Sequence, residues 1–294
     1  MPDVFILGFT KCATTSLYDQ LLAHEDVSNT KRKEPHFHFA QVLGDRFEGP
    51  ADNDAVSQMF VTNEAEYEKL YEPGKLSIDG SAMSIEHPQI LEIINQQYPN
   101  AKHIIMLRNP VERAFSAYSH LIRDARETAS FREALEQDIS GNRSNFMPIW
   151  HLTHSSRYVI AVQNARRLFG ERLKVVSYHD YVRNNKETMD EVARFLGLTP
   201  IQWHQEHANR SGQPKSKLFQ KVLMRKSFLK SIFVSVFPQK MVKTLKRQLM
   251  ERNTGEKPRL DEKDRAYFLS AIADEIDFIE AGALDSDMLR SFYQ

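Results

Sequence analysis

Apolar positions along the chain follow two rhythms. Short unbroken apolar runs alternate with longer stretches in which apolar side chains return every three or four positions. Val4-Phe5-Ile6-Leu7, closed by Gly8, is the first short run and reads as a buried parallel strand. Lys75 to Asp79, His103 to Leu107 and Leu173 to Tyr178 read as further strands. Between them, Thr14 to His24 sets Leu17, Leu21 and Leu22 on one helical face. Pro88 to Gln97, Val111 to Arg123, Phe131 to Asp138, Arg157 to Phe169 and Lys186 to Leu196 carry the same helical period. Strands alternating with helices of this length predict an α/β fold with a central, mainly parallel sheet flanked by helices. No internal repeat and no low-complexity tract interrupts the pattern.

One stretch breaks it. Lys215 to Arg259 holds thirteen Lys and Arg against two acids, Glu251 and Glu256, with Leu218, Phe219, Val222, Phe228, Ile232 and Phe237 interleaved. This spacing reads as an amphipathic helical segment whose basic face is either solvated or attracts an anionic acceptor or lipid headgroups. After Pro258, Leu260 to Ala281 reads as a compact helix with acids at its start, as the helix dipole prefers. The expected organisation is one domain over 1–294, with a core at 1–214, a basic helical segment at 215–259 and a C-terminal helix at 260–294.

Composition narrows the class. The chain has 294 residues, 41% hydrophobic and 27% charged, as expected of a folded domain with a sizeable core. Its 39 Lys and Arg balance 39 Asp and Glu, so net charge gives no case for a nucleic-acid binder. Cys12 is the single cysteine, which excludes an internal disulfide framework and a cysteine-rich zinc module. No apolar run approaches the roughly 18 residues of a membrane span. The start, Met1-Pro2-Asp3, lacks a basic leader, so the expectation is a cytoplasmic protein, with membrane association through residues 215–259 as the alternative to full solubility.

Two clusters carry chemistry. Gly8-Phe9-Thr10-Lys11-Cys12-Ala13-Thr14-Thr15-Ser16 joins the first strand to the first helix, a position where backbone N–H groups and a helix N-terminus face an anion. Thr14, Thr15 and Ser16 add hydroxyls and Lys11 adds charge. The loop is not the nucleoside-triphosphatase pattern G-x-x-x-x-G-K-[ST], because Lys11 precedes Thr14 by three residues and no second glycine follows. Read alone, it is either a phosphate loop or an ordinary strand–turn–helix junction. The second cluster runs Ile104-Ile105-Met106-Leu107-Arg108-Asn109-Pro110-Val111-Glu112-Arg113-Ala114-Phe115-Ser116. Arg108 closes a parallel strand, at the rim where α/β ligands bind, and its fork suits a phosphate dianion with Ser116 as an added donor. In isolation, Arg108 equally reads as an ion-pair partner of Glu112.

Together, G-x-x-K-x-[GA]-T-T-S-L and L-R-N-P-V-x-R-A-x-S-x-Y, about a hundred residues apart, resemble the sulfotransferases that use 3′-phosphoadenosine 5′-phosphosulfate (PAPS). The nearer likeness is to the carbohydrate branch, heparan-type and bacterial. Lys31-Arg32-Lys33-Glu34-Pro35-His36-Phe37 resembles that branch's K-E-x-H-F-F segment, with His38 in place of the second Phe. Asn209 to Ser216 resembles its nucleotide-closing basic loop, whereas Ser77 to Ser81 matches the branch poorly. The resemblance implies a P-loop-kinase-like sulfotransferase fold, PAPS as co-substrate with no metal, and a small-molecule, glycan or glycolipid acceptor. It implies that Lys11, Ala13, Thr14, Thr15 and Ser16, with Cys12 inside the same loop, bind the 5′-phosphosulfate. Arg108 and Ser116 would take the 3′-phosphate, and Arg210 and Lys215 would close the site. Ala13 stands where the family has glycine, and at positive φ it would cost about 1 kcal/mol.

Sulfuryl transfer by in-line displacement needs a base and charge neutralisation on the leaving phosphate. Glu34 is the candidate base, with His36 as its rival, and Lys11 stabilises the leaving oxygen. The flanking Lys31, Arg32 and Lys33 are expected to lower the Glu34 pKa. The eleven histidines form no H-E-x-x-H set, and no G-x-S-x-G elbow is present. A different enzyme class, an ATP-dependent small-molecule or nucleotide kinase, would use the same loop with magnesium and needs a strand-end acid, for which Asp79 is the candidate. A non-catalytic reading would rest on the basic segment instead. Phe37, Phe39, Phe146, Trp150 and Tyr158 are expected either in an acceptor pocket or in the core.

Overall fold

The structure is a computed structural model that describes residues 1–28, 30–204 and 259–281. Four parallel strands, β1 (Val4–Gly8), β2 (Ile78–Asp79), β3 (Lys102–Leu107) and β4 (Leu173–Ser177), form one sheet in the order β2-β1-β3-β4. Phe5 lies opposite both Asp79 and His103, and Ile105 lies opposite Val175. All of β1 and all of β3 except Lys102 are buried, which explains why these strands read as continuous apolar runs: both faces of the sheet are covered. Helix α1 (Thr14–Leu21) docks on β1. A helical layer of α5 (Pro88–Gln97), α8 (Val159–Phe169) and α10 (Asn185–Leu196) joins α6 (Pro110–Arg123) around the sheet.

The predicted α/β class stands, and the departures from the sequence pattern have local causes. Lys75 to Asp79 contributes only Ile78 and Asp79 to the ladder. The Ser77 N–H goes to the Asp3 carboxylate (2.8 Å), and Leu76 pairs instead with Val27. Helix α1 stops at Leu21 because the His24 ring turns the chain, taking the Asp26 N–H on Nδ1 at 3.1 Å. Tyr178 belongs to a short helix, α9 (Tyr178–Arg183), rather than to β4, with the Ser177 hydroxyl capping it. Three further short helices, α2 (Phe37–Leu43), α3 (Asp52–Met59) and α4 (Glu64–Glu68), lie where the sequence pattern offered too few turns to reveal a period.

The run Leu260 to Ala281 is two helices, α11 (Glu262–Ala271) and α12 (Ala273–Glu280), hinged at the buried Ile272. The break follows from docking on two surfaces. Phe268 and Ile272 fill a second core with Val111, Ala114 and Tyr118 of α6 and with Phe131 and Leu135 of α7 (Phe131–Ile139). Beyond the hinge, the Glu275 carboxylate accepts the N–H groups of Tyr158 (2.6 Å) and Val159 (2.7 Å), capping α8 and setting its start at Val159 rather than Arg157. The basic segment 215–259 lies outside the described residues apart from Arg259. The C-terminal stretch 282–294 lies outside them too.

One buried acid gives a direct test of the packing. Glu86 is 3% exposed; one oxygen accepts the Ser155 hydroxyl at 2.8 Å and the other has no partner among the described residues. Burial pushes its carboxyl up to about 7, against the Ser155 hydrogen bond and Arg113, which pull it down. A folded-state pKa above the unfolded value near 4.5 means stability is present below about pH 4.5 and lost as pH rises to about 7. Glu86→Gln is therefore expected to gain on the wild type across that window, by up to about 3 kcal/mol, measured as the difference in urea unfolding free energy at pH 5 and pH 8. A difference that does not change with pH would contradict this.

Candidate active site

Three strand-to-helix junctions open at the C-terminal edge of the sheet, and they differ in how their helices begin. Asn109 caps α6 by accepting the Glu112 N–H at 3.2 Å, and Ser177 caps α9 by accepting the Asp180 N–H at 3.3 Å. Helix α1 has no side-chain cap: its N-cap residue is Ala13, which has no acceptor to offer. The first-turn N–H groups of a helix have no intrahelical partner, so those at Thr14, Thr15 and Ser16 are, among the described residues, donors that an anion at the positive end of the dipole could take.

The loop reaches this geometry through unusual backbone angles. Gly8 (φ 146°), Lys11 (φ 71°) and Ala13 (φ 66°) all have positive φ. A Cβ at Gly8 would sit 3.3 Å from the Met106 carbonyl oxygen of β3, so the tight approach of β1 to its neighbour also requires glycine. Ala13 occupies the left-handed region that its type disfavours, as anticipated if the position needs glycine-like angles. Thr15 is exposed, Ser16 half-buried and Thr14 buried. The Thr10 hydroxyl is buried with no partner among the described residues, a further orphan donor in the same loop. Cys12 turns the other way: its side chain is in the core, burial raises its thiol to about 11, and its N–H donates to the Phe9 carbonyl at 3.3 Å. Of the loop positions expected to hold the phosphosulfate, Cys12 is thus the one whose side chain is buried in the hydrophobic core.

Lys11 reaches the last turn of α6. Its Nζ donates to His120 Nδ1 at 3.3 Å, as Arg123 does, while His120 Nε2 lies 3.2 Å from Asp124. Burial, then the Lys11 charge, lowers His120 to about 3. The ring is therefore neutral, accepts at Nδ1 and donates from Nε2 to Asp124. Burial, with Arg123 as the next cause, brings Lys11 down to about 8, and Asp124 and Glu34 oppose this. His120, Arg123 and Asp124 were not singled out from the sequence. The i, i+3 and i, i+4 spacing on a helix that starts at Arg108's strand was the available signal.

Arg108 sits at the end of β3 with its guanidinium 4.4 Å over the Tyr178 ring and its Nε 3.1 Å from Glu112. Both readings of this residue meet here, since the ion pair with Glu112 exists and the fork is held at the sheet edge by stacking. Ser116 is half-buried on α6, further along the same helix. Tyr158 ties the two clusters together. Its hydroxyl donates to the Arg108 carbonyl at 2.9 Å and its ring lies 4.5 Å from that of Phe9 in the first loop.

The segment Lys31 to His36 runs beside the end of β2, fastened by the Gly80 N–H to the Lys33 carbonyl (2.9 Å) and by the His36 N–H to the Ser81 hydroxyl (2.9 Å). Its charges separate. Lys31 is exposed, and Arg32 donates to the Met59 and Phe60 carbonyls at the end of α3. Lys33 Nζ donates to Thr15 Oγ1 at 2.8 Å and to Glu34 Oε1. The other Glu34 oxygen lies 3.4 Å from His36 Nε2. Burial works to raise the Glu34 pKa, but Lys33 and His36 outweigh it together and hold the carboxyl at about 2. Glu34 keeps 28% of its side chain exposed, whereas His36 keeps 1% and is wedged against Phe39 and Phe60.

Some expected residues lie elsewhere. Asp79 is buried and takes the hydroxyls of Tyr67 (2.6 Å) and Tyr71 (3.1 Å) and the Ser81 N–H (2.9 Å), so the acid that a magnesium-dependent kinase would need is consumed by structure. Phe37, Phe39, Trp150 and Tyr158 are core residues, and Phe146 packs on that core. Arg210 and Lys215 fall outside the described residues.

The architecture is therefore a parallel α/β sheet whose first helix starts uncapped behind a lysine-bearing loop, with an arginine on the neighbouring strand end. A family model described as the sulfotransferase family matches residues 2–204, and the chain belongs to that family. Carbohydrate sulfotransferase 15 of mouse and of human are each 23% identical to it over 256 residues, covering 70% of this chain. The match takes in 45% of each relative, so the chain spans less than half the length of these curated relatives. The solved structure of a sulfotransferase from Alicyclobacillus acidocaldarius is 31% identical, with a TM-score of 0.66, and the match covers 76% of this chain and 90% of that one. The P-loop-like sulfotransferase fold expected from the motifs is the fold observed.

The left-handed Ala13 sets a prediction for the loop. Ala13→Gly relieves about 1–2 kcal/mol of backbone strain and gives back about 0.4–1 kcal/mol through the freer unfolded chain. A net gain of about 0.5–1 kcal/mol is expected in urea unfolding, and a loss of stability would contradict the role assigned to this angle.

Proposed function

We propose that the protein transfers the sulfuryl group of PAPS to a hydroxyl or amine of a carbohydrate or glycolipid acceptor. The observation that carries this reading is the reach of Lys33: one ammonium touches both Thr15, in the open first turn of α1, and Glu34, the carboxylate set to take a proton. An anion-binding helix end and a base therefore lie within one side chain of each other, as in-line transfer requires. The carbohydrate acceptor is supported by the names of the curated relatives and by family membership.

PAPS supplies an activated sulfuryl group on a phosphate leaving group. The N–H groups of Thr14, Thr15 and Ser16, with their hydroxyls, would hold the 5′-phosphosulfate, and Arg108 with Ser116 would hold the 3′-phosphate. Glu34 takes the proton of the acceptor hydroxyl or amine as the acceptor atom bonds to sulfur. The bond from sulfur to the bridging oxygen breaks, and its electron pair stays on the 5′-phosphate. Lys11 neutralises that charge. His36 orients Glu34 from behind, since its own ring is too buried to meet an acceptor. This division supports Glu34 over His36 as the base.

Calorimetric titration with 3′-phosphoadenosine 5′-phosphate (PAP) tests the reading. Binding is expected without magnesium, weakened at least tenfold by Arg108→Ala. Magnesium-dependent binding of ATP with no binding of PAP would overturn it in favour of a kinase. Lys11 adds a pH test. With its ammonium at about 8, wild-type affinity for PAP is expected to fall between pH 7 and pH 9.5 as the charge is lost, and Lys11→Met is expected to flatten that fall.

A further inference from the structure

Both oxygens of Glu34 are engaged, Oε1 by Lys33 and Oε2 by His36. A carboxylate so placed is anchored, and the ammonium on Oε1 holds down its affinity for an acceptor's proton, so withdrawal of a partner would strengthen the base. The two partners differ in freedom. His36 is 1% exposed, its N–H is bonded to Ser81, and its ring is set against Phe39 and Phe60. Lys33 is 18% exposed at the end of a flexible four-carbon stem.

The Lys33 stem is guided as well as flexible. Its backbone carbonyl is fixed by the Gly80 N–H, and a Cβ at Gly80 would come within 3.0 Å of that carbonyl and 3.4 Å of the Lys33 Cε, so glycine lets the stem lie flush against the end of β2. The ammonium is 5.9 Å from the centre of the Tyr18 ring of α1 and 2.8 Å from Thr15 Oγ1. It is thus parked at the mouth of the open first turn of α1. An anion bound to that turn would arrive beside it with more charge than Glu34 can offer.

Resting on the sulfuryl-transfer reading, we propose that Lys33 is a donor-operated switch: it is parked on Glu34 when the site is empty and is drawn onto the 5′-phosphosulfate when the donor binds. The single movement neutralises the donor and frees Glu34 Oε1 for the acceptor's proton. It also orders the reaction, because the base gains its full strength only after the donor is in place. The depressed carboxyl of Glu34 fits this account, since burial alone would raise it and Lys33 is the largest of the influences lowering it.

A double-mutant cycle on PAP affinity tests the switch. Lys33→Met is expected to weaken PAP binding about tenfold, and Lys33→Arg, which keeps the charge, to stay within about threefold of wild type. Glu34→Gln is expected to tighten PAP binding three- to tenfold, because Lys33 no longer has to leave a charged partner. In the Lys33→Met background the same Glu34→Gln change is expected to leave affinity within twofold. A simple field effect of Glu34 on an anionic ligand predicts the opposite, a tightening that persists or grows once Lys33 is gone. Persistence of the tightening, or no tightening in Glu34→Gln, overturns the switch while PAP binding by the wild type leaves the sulfuryl-transfer reading standing. Failure of the wild type to bind PAP overturns both. Thermal unfolding of each variant, expected within a few degrees of wild type, keeps a fold defect from passing as a weak ligand.

Discussion

The first-turn N–H groups at the head of α1, which no side chain among the described residues caps, are the constraint around which the rest of this molecule is arranged. At this edge of the sheet α6 and α9 both find a side-chain cap. Helix α1 has alanine there instead, in a left-handed conformation that costs free energy. Tolerating that cost and leaving the donors open makes sense if the cap is supplied by a ligand. The loop angles at Gly8 and Lys11, the orphan Thr10 hydroxyl and the inward turn of Cys12 then belong to one arrangement that points donors outward and apolar atoms inward.

The same constraint explains the charges around it. A bare helix head accumulates positive potential, and the chain adds Lys11, Lys33, Arg108 and Arg123 nearby rather than diluting it. Their mutual repulsion is managed by partners that hold them in place: His120 and Asp124 for Lys11 and Arg123, Glu34 for Lys33, Glu112 and the Tyr178 face for Arg108. A half-buried lysine at about 8 and a glutamate at about 2 are the two sides of this arrangement. The C-terminal helices take part at a distance, since Glu275 fixes the backbone of Tyr158, whose hydroxyl and ring reach both clusters.

Much of this was legible before any coordinates. The apolar runs at Val4 and at Ile104 announced strands because both faces of the sheet are covered, and the loop after β1 stood out as a candidate anion site through its position and its hydroxyls. The short helices α2, α3 and α4 were not legible, being too brief for a period to emerge. The hinge at Ile272 was hidden as well, since what bends the chain is the distant N-terminus of α8 and not a local breaker. His120 escaped notice for a related reason: its partner Lys11 is 109 positions away, and only folding brings the two side chains within 3.3 Å. Lys33 illustrates the limit most clearly. Sequence grouped it with Lys31 and Arg32 as one basic patch acting on Glu34, but the fold sends each side chain to a different place, and only Lys33 stays with the carboxylate.

The central claim is that the head of α1 is capped by the donor's 5′-phosphate. The most direct measurement is the backbone amide spectrum of the ¹⁵N-labelled protein during titration with PAP, with the resonances of Thr14, Thr15 and Ser16 assigned. Large downfield shifts of those three amides, saturating together with the Arg108 side-chain resonance, are the predicted result. Binding that leaves them unmoved, with the shifts gathered elsewhere, would contradict the account.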